Sequence, residues 1–264
     1  MAGIMAVPGR TVVRVSGSER IDFLQRLVTN SVSGLSEGEV RYAALLTPQG
    51  KYLFDFFIIE QGEAFLLDVA AEQAEALVKR LSLYKLRVDV TFETTDLEVY
   101  AAEEPHAEAV SVRDPRHESL GYRLYAPALP DAAEGAAYEA RRLDLGIPDL
   151  PRDAEVEKTL SLEADLDWLN GVDFTKGCFV GQELTARMKH RGKVRKRLLG
   201  VQVEGGMPAP GTPILKPDGK EAGQIRSGLN GRGIALIRLE DLDKGPLTAD
   251  GRTVTAQMPF GQDG

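Results

Sequence analysis

The one cysteine of the chain, Cys178, lies between two glycines, Gly177 and Gly181. Glycine permits positive φ angles, so this spacing predicts a shaped turn, with Gly181 capping a helix that begins at Gln182. Lys176 precedes the cysteine by two residues. A thiol near a lysine and ahead of a helix N-terminus tends to have a lowered pKa, which favours the nucleophilic, metal-binding thiolate. We therefore predict Cys178 as a reactive or ligating thiol, with Lys176 as its catalytic partner.

Each of these features also has a simpler interpretation. A free cysteine is commonly a small buried residue. Glu183, in the first turn of the predicted helix, complements the helix dipole as an ordinary capping residue would. Trp168, the one tryptophan, is of a type found more often in a core than as a platform for a ligand. The residue types alone leave these alternatives open.

A basic segment follows the cysteine motif. Seven lysines and arginines, and no acid, lie between Arg187 and Arg197, although the whole chain has a net charge of −8. The negative total argues against a protein built mainly to coat nucleic acid. The local excess marks residues 187–197 as a candidate contact for an anion such as tRNA. The alternative is a solvated surface.

Cysteine and histidine counts restrict the metal chemistry. One cysteine excludes an internal disulfide, and the three histidines are scattered. We predict no metal site within the chain alone, although Cys178 could supply a single ligand to a cluster completed by another protein.

No apolar run approaches the roughly 18 residues that a membrane span requires. Residues 1–14 show no targeting pattern. We therefore expect no membrane contact and a bacterial, cytoplasmic location.

Helical segments alternate with paired strand segments along the first part of the chain. Helices are predicted at 19–28, 71–85 and 138–145, and strands at 10–15, 40–46, 52–59, 64–69, 88–92 and 97–101. This order favours an α+β fold with helices packed on antiparallel sheets. After residue 194, short strands separated by glycine and proline predict a C-terminal β-barrel. The predicted domains are 1–194 and 195–264.

The run KGCFVGQELTAR resembles the signature of the YgfZ family, the folate-binding, iron–sulfur-related branch of the glycine-cleavage T-protein superfamily. The residues that match the motif are Lys176, Gly177, Cys178, Phe179, Gly181, Gln182, Glu183 and Arg187. Two further segments, YAALLTPQGK and RLDLGIP, resemble other elements of the family. The second segment has Asp144 where the family usually has glutamate.

The resemblance implies α+β lobes interlocked around a central folate pocket, with a C-terminal β-barrel. It implies tetrahydrofolate binding and help in the assembly, maintenance or repair of iron–sulfur enzymes, including some that modify tRNA. Client iron–sulfur proteins would be the partners, and a cluster would be held only transiently. We place the folate contacts at Arg142, Asp144, Glu163, Trp168 and Arg187. The alternative function is a folate-dependent aminomethyltransferase or other one-carbon transferase, whose chemistry needs no thiol.

Overall fold

The computed structural model describes residues 3–129, 132–192 and 194–258. In chain order the helices and strands are β1 (Met5–Ala6), β2 (Arg10–Ser16), α1 (Arg20–Gln25), β3 (Val40–Leu46), β4 (Tyr52–Gln61), β5 (Ala64–Ala70), α2 (Ala74–Lys85), β6 (Thr91–Thr94), β7 (Glu98–Ala102), β8 (Val110–Arg113), β9 (Tyr122–Ala126), α3 (Ala136–Asp144), α4 (Leu150–Asp153), α5 (Gln182–Arg191), β10 (Lys196–Val203), β11 (Pro213–Leu215), β12 (Glu221–Leu229), β13 (Arg232–Arg238), β14 (Leu247–Ala249) and β15 (Arg252–Gln257). Across the described ranges, no helix combines the length and the apolar character that crossing a membrane would require.

A five-stranded antiparallel sheet, in the order β3-β4-β5-β2-β6, forms the centre of the first part of the chain. Nine of the ten residues of β4 are buried, because both faces of the sheet are covered. One face packs against α2 through Leu77 and Leu81. Phe57, Asp68 and Val12 are paired across neighbouring strands and so share the opposite face. That face looks toward the second sheet and carries the polar groups of the candidate site.

The second sheet has four strands in the order β1-β7-β9-β8. Its Val99 and Tyr125 are paired across β7 and β9, and both join the core that contains Phe57. Tyr138 and Leu143 of α3 join the same core. The two sheets and α3 therefore enclose one shared interior, which explains why polar residues far apart in sequence can meet there.

Six strands form the closed C-terminal barrel, in the order β10-β13-β12-β11-β14-β15. Strand β10 pairs with both β13 and β15, which closes the barrel. Leu199, Val201 and Ala235 point into a core that belongs to the barrel itself. Leu198 and Ile234 instead pack in the central core, so the barrel is joined to the rest by buried apolar contact. The boundary between residues 194 and 195 stays a prediction.

The predicted α+β class with a C-terminal β-barrel is confirmed. The strand predicted at 88–92 is wrong in its bounds, since β6 is Thr91–Thr94. Asp89, which falls inside the predicted strand, lies outside β6. Its carboxylate instead accepts hydrogen bonds from the backbone N–H and the hydroxyl of Ser18. The structure also contains β8 and β9, which the sequence pattern did not indicate.

Candidate functional site

A cavity of about 580 Å³ lies between the two sheets, α3 and α4. Its wall is formed by the start of β2, by Phe57 of β4, by Arg123 of β9 and by one face of α3. This volume falls within the range of roughly 300–1,000 Å³ that is usual for pockets that hold small organic ligands. The cavity is large enough for a ligand with a fused ring.

Three arginines cluster against one ring in this wall. The guanidinium carbons of Arg10, Arg116 and Arg123 lie 5.7, 4.8 and 4.0 Å from the centre of the Phe57 ring. Such distances allow cation–π attraction, which is stronger where water is excluded. Three cations at one aromatic ring would repel each other unless acids compensate them.

Two buried carboxylates provide that compensation. Asp68 accepts from Arg10 Nε at 2.6 Å and from Arg123 Nη2 at 2.5 Å, and Asp114 accepts from Arg116 Nη2 at 2.7 Å. Burial alone raises the pKa of Asp68, but the guanidinium groups of Arg10 and Arg123 outweigh it and hold the pKa below its usual value. The same balance, with Arg116 as the main cation, lowers the pKa of Asp114. Both acids are therefore charged at neutral pH.

Tyr138 of α3 completes the network. Its hydroxyl accepts from Arg116 Nη2 at 2.8 Å and from Arg123 Nη1 at 3.3 Å. Because each guanidinium is fixed by several partners, the polar wall is rigid before any ligand arrives. Such a wall can bind a planar polar molecule without first reorganising its own side chains.

Arg142 is the one predicted folate contact that lines this cavity. Its guanidinium donates to both carboxylate oxygens of Glu139 and to the carbonyl oxygen of Ile147. Arg152, half exposed, pairs with the same Glu139 and with Asp149. The opening of the cavity is thus lined by paired charges of both signs.

The other predicted folate contacts lie elsewhere. Asp144, half exposed, pairs with Arg232 of the barrel, and Glu163 lines a second cavity of about 280 Å³ beside the barrel. Trp168 packs against the barrel core. Arg187 is exposed and pairs with Glu183, whose carboxylate lies 2.5 Å away. Their roles toward folate stay predictions.

Sequence reasoning missed Arg10, Arg116, Arg123 and Tyr138 as cavity residues. More than a hundred residues separate Arg10 from Arg116 along the chain. Only the approach of the two sheets brings these side chains together. No motif or local spacing marks them, so nothing in the sequence read alone could have found them.

The cysteine motif forms an irregular loop that leads into α5. Cys178 is exposed, whereas the neighbouring Phe179 is 7% exposed and belongs to the central core. Gly177 and Gly181 have φ angles of +90° and +86°, and the Gln182 amide donates to the carbonyl of Gly177. The predicted helix start at Gln182 is confirmed. The aromatic ring therefore fixes the loop while the thiol points to solvent.

Lys176 anchors this loop to the segment that follows α1. Its Nζ donates to the carbonyl oxygens of Val28 and Asn30, at 2.5 and 2.7 Å. Burial lowers the pKa of Lys176 to about 8, and Asp173 opposes this effect only partly. The ammonium is thus occupied by backbone acceptors.

The close approach of two backbones requires the glycine at position 181. A Cβ on Gly181 would lie 2.6 Å from the carbonyl oxygen of Thr47 and 3.0 Å from the Cα of Gly50. Any other residue would also be strained at this positive φ. The turn between β3 and β4 therefore positions the start of α5, and with it the cysteine loop.

Hydrogen bonds connect the loop to the cavity wall. The Asn30 amide donates to the carbonyls of Tyr42 and Asn170, and the Asn170 amide donates to the carbonyl of Pro115. Pro115 precedes Arg116, whose guanidinium carbon lies 5.7 Å from the centre of the Tyr42 ring. A continuous chain of contacts thus joins the loop to one of the cavity arginines.

The basic segment is partly neutralised by partners. Lys189 pairs with Asp167 at 3.2 Å. Arg197 is buried, pairs with Asp165 and Asp167, and lies 3.5 Å from the centre of the Trp168 ring. Exposed cations remain at Arg191 and Arg195, and position 193 lies outside the described residues. Within the described chain, no three His, Cys, Asp or Glu side chains converge as metal ligands do.

Comparison with known proteins identifies the class. Residues 1–113 match the family described as the GCVT N-terminal domain, and residues 195–261 match the CAF17 C-terminal beta-barrel domain. A solved structure of glycine cleavage system aminomethyltransferase T from Bartonella henselae superposes on 99% of this chain and 86% of its own, with a TM-score of 0.79 and 17% identity. At that identity the likeness concerns the fold alone. The chain is thus a GCVT-like protein with a CAF17-type barrel.

Relatives of higher identity define the family. Mouse mitochondrial iron–sulfur cluster assembly factor IBA57 is 36% identical over 95% of this chain and 83% of its own length. The human protein of the same name is 36% identical over 90% of this chain and 78% of its own. The homologue from Mycosarcoma maydis is 33% identical, with 96% and 82% covered. The chain belongs to the IBA57 family. The predicted superfamily and its iron–sulfur branch are confirmed.

The predicted location is wrong in the light of these relatives. We expected a bacterial cytoplasmic protein because residues 1–14 lack a targeting pattern, whereas the matching relatives are named as mitochondrial proteins.

Proposed function

We propose that this protein is an iron–sulfur cluster assembly factor that acts through the thiol of Cys178 and binds tetrahydrofolate in the 580 Å³ cavity. Client iron–sulfur proteins are its partners in this proposal. The observation that carries it is the sole cysteine, exposed on a loop whose backbone is fixed on both sides. The names of the relatives support the general role.

The chemistry of the proposed site follows from a soft sulfur ligand. Thiolate binds iron well, and a single thiolate leaves the remaining cluster ligands to a second protein. On losing its proton, Cys178 would donate an electron pair to an iron atom of a cluster in transit. Lys176 would act as a positioning residue, because its ammonium binds the carbonyls of Val28 and Asn30.

The cavity fits a folate in chemistry as well as in size. A pterin ring presents both donors and acceptors, and the wall offers arginine donors together with the carboxylates of Glu139 and Asp149. Phe57 and Tyr138 provide apolar ring surface. Arg152, at the half-exposed edge, would pair with a glutamate-tail carboxylate. Bound tetrahydrofolate would supply a carrier for one-carbon units.

Complementation tests the thiol. A deletion strain should regain an iron–sulfur enzyme activity with wild-type protein but not with Cys178→Ser, which keeps the size and replaces a soft ligand. Thiol alkylation of the wild type should be fast, because the side chain is exposed. Thr175→Ser, a change at another exposed position of the same loop, is the matched control and should complement fully. Slow alkylation together with full complementation by Cys178→Ser would reject the thiol and favour one-carbon transfer.

Ligand-induced stabilisation tests the cavity. Reduced tetrahydrofolate should raise the melting temperature, as a ligand selective for the native state must. Arg152→Gln should weaken this effect. Arg187→Gln separates the cavity from the other predicted contacts, because Arg187 lies on α5 and does not line the cavity. No stabilisation of the wild type at saturating tetrahydrofolate would contradict folate binding, and loss through Arg187→Gln alone would move the site away from the cavity.

A further inference from the structure

The barrel contributes one described side chain to the lining of the 580 Å³ cavity, that of Leu229. This leucine lies at the end of β12 and is 37% exposed, whereas most large apolar side chains among the described residues are buried. A single exposed leucine is ordinary on a protein surface. Leu229 differs because its exposed surface faces a cavity whose other described lining residues come from the first 152 positions.

The turn that carries Leu229 has a defined backbone. Asn230 and Gly231, the two residues between the paired Leu229 and Arg232, have φ angles of +51° and +82°. Two consecutive positive φ angles in an Asn-Gly pair are typical of the tight type I′ turn. The backbone N–H of Val203 also donates to the carbonyl of Gly231 at 2.7 Å. The hairpin 229–232 is therefore a rigid projection of the barrel.

An ion pair holds this hairpin against α3. Arg232 pairs with Asp144, the last residue of α3, and both side chains are 49% exposed. A carboxylate at a helix C-terminus faces the negative end of the helix dipole and is unfavourable there unless a cation compensates it. Earlier residues of the same helix, Tyr138 and Arg142, line the cavity. Helix α3 thus connects the cavity wall to the hairpin.

We propose that the hairpin 229–232 is the part of the barrel that binds the cavity ligand. Leu229 covers an apolar ring face of that ligand, and the Asp144–Arg232 pair positions Leu229. This inference rests on the proposed folate binding for the identity of the ligand, whereas the positioning by Asp144 does not depend on it. Asp144 then acts through the hairpin and does not touch the ligand itself.

Calorimetric titration with tetrahydrofolate tests the contact. Leu229→Ala should weaken binding roughly tenfold, through lost apolar contact. Asp144→Asn and Arg232→Gln should each weaken it about twofold to fivefold, as expected for a half-exposed pair, and the double variant no further, because one interaction is removed either way. The exchange of Asp144→Arg with Arg232→Asp should restore affinity. If Asp144 instead bound the ligand directly, Arg232→Gln would leave the affinity unchanged and the exchange would not restore it.

A matched control exists on the same barrel. Asp250 pairs with Arg252 at 3.8 Å in the turn between β14 and β15, and Asp250 also has a positive φ angle of +52°. Neither residue lines the cavity. Asp250→Asn should leave the affinity for tetrahydrofolate unchanged. An equal loss from Asp250→Asn would show that the effect of Asp144→Asn is not specific to the hairpin.

Thiol labelling tests, without any ligand, whether the Asp144–Arg232 pair positions the side chain at residue 229. Cys178→Ser gives a background with no native cysteine, into which Leu229→Cys introduces one thiol. Adding Asp144→Asn should speed alkylation of that thiol severalfold, whereas adding Asp250→Asn should not. Equal rates in all three proteins would overturn the positioning role. If tetrahydrofolate does not bind the wild type, both the proposed folate binding and the ligand contact of Leu229 are rejected. The positioning of Leu229 by Asp144 is then tested by the labelling rates alone.

Discussion

Two groups of cations in this protein differ in almost everything except the length of their ion pairs. Arg123, in the cavity wall, lies 2.5 Å from Asp68, and Arg187, in the basic segment, lies 2.5 Å from Glu183. The side chains of the first pair are 2% and 0% exposed, and those of the second are 50% and 85% exposed. The two ion pairs therefore have the same N–O distance but differ in how deeply they are buried.

Burial decides what each pair contributes. A solvent-exposed pair contributes about 0–1 kcal/mol, because water screens both charges and the side chains lose entropy on pairing. A buried pair adds little over apolar packing, but removing one partner leaves an uncompensated charge in the interior. The cavity arginines thus depend on their acids, whereas the exposed Arg187 does not. Arg197, the buried member of the basic segment, depends on Asp165 and Asp167 as the cavity arginines depend on theirs.

The largest effect is expected from Asp68→Asn. This change leaves the guanidinium groups of Arg10 and Arg123 without their main carboxylate, so we expect a loss of about 3–5 kcal/mol in the free energy of unfolding. Urea unfolding, followed by Trp168 fluorescence and circular dichroism, measures it. The matched control is Glu183→Gln, which breaks an equally short pair and should cost less than about 1 kcal/mol. Equal losses would remove the distinction between the two groups.

The same carboxylates make the fold acid-sensitive. The folded-state pKa values of Asp68 and Asp114 are lowered, so both acids bind fewer protons in the folded than in the unfolded chain. Their contribution to stability is complete above the unfolded pKa, near 4, and is lost as the pH falls through the folded pKa. The free energy of unfolding of the wild type should therefore decline below about pH 4 more steeply than that of Asp68→Asn. Parallel declines would contradict this assignment.

Lys176 is intermediate between the two groups, since it is half-buried and bound to carbonyls. Lys176→Met removes two hydrogen bonds from a charged donor and should cost about 1–3 kcal/mol. The folded-state pKa of Lys176 is about 8, below the unfolded value near 10.4, so the unfolded chain binds more protons between these values. Stability of the wild type relative to Lys176→Met should accordingly rise with pH across this window.

Both proteins of this comparison should carry Cys178→Ser, which removes the exposed thiol two residues from Lys176. The difference between their free energies of unfolding, measured from pH 7 to pH 10, isolates the lysine. A constant difference across that range would show that the pKa of Lys176 is not lowered by folding.

The smallest effect on stability is expected in the basic segment. Arg195→Glu together with Lys196→Glu should change the free energy of unfolding by less than about 1 kcal/mol. The same pair should weaken binding to tRNA and flatten its dependence on salt, if the segment contacts an anion. Lys79→Glu with Arg87→Glu, an exposed cation in the middle of α2 and one just after it, reverses the same charge elsewhere. Equal salt slopes for both double variants would leave the basic segment as a solvated surface.

Local features of the site were predictable from the sequence, and distant ones were not. The helix start at Gln182 and the turn around Cys178 depend on glycine and on neighbouring residues, so their pattern is visible in one segment. The cavity depends on Arg10 and Arg123, which lie on strands of different sheets. Asp144 shows the same limit: the motif marks the residue, but only the folded chain reveals that its partner is Arg232.

The contact between Gly50 and Gly181 has a consequence for how this protein can evolve. A Cβ on Gly181 would lie 2.6 Å from the carbonyl oxygen of Thr47, so the backbone of the turn excludes any other residue there. A Cβ on Gly50, 131 positions earlier in the chain, would lie 3.3 Å from the carbonyl oxygen of Gly181, and its φ of +69° adds backbone strain for any other residue. In a library that randomises both segments, selection for folding should keep glycine at both positions. The sequence variation open to the cysteine loop is therefore limited by a turn that belongs to another motif.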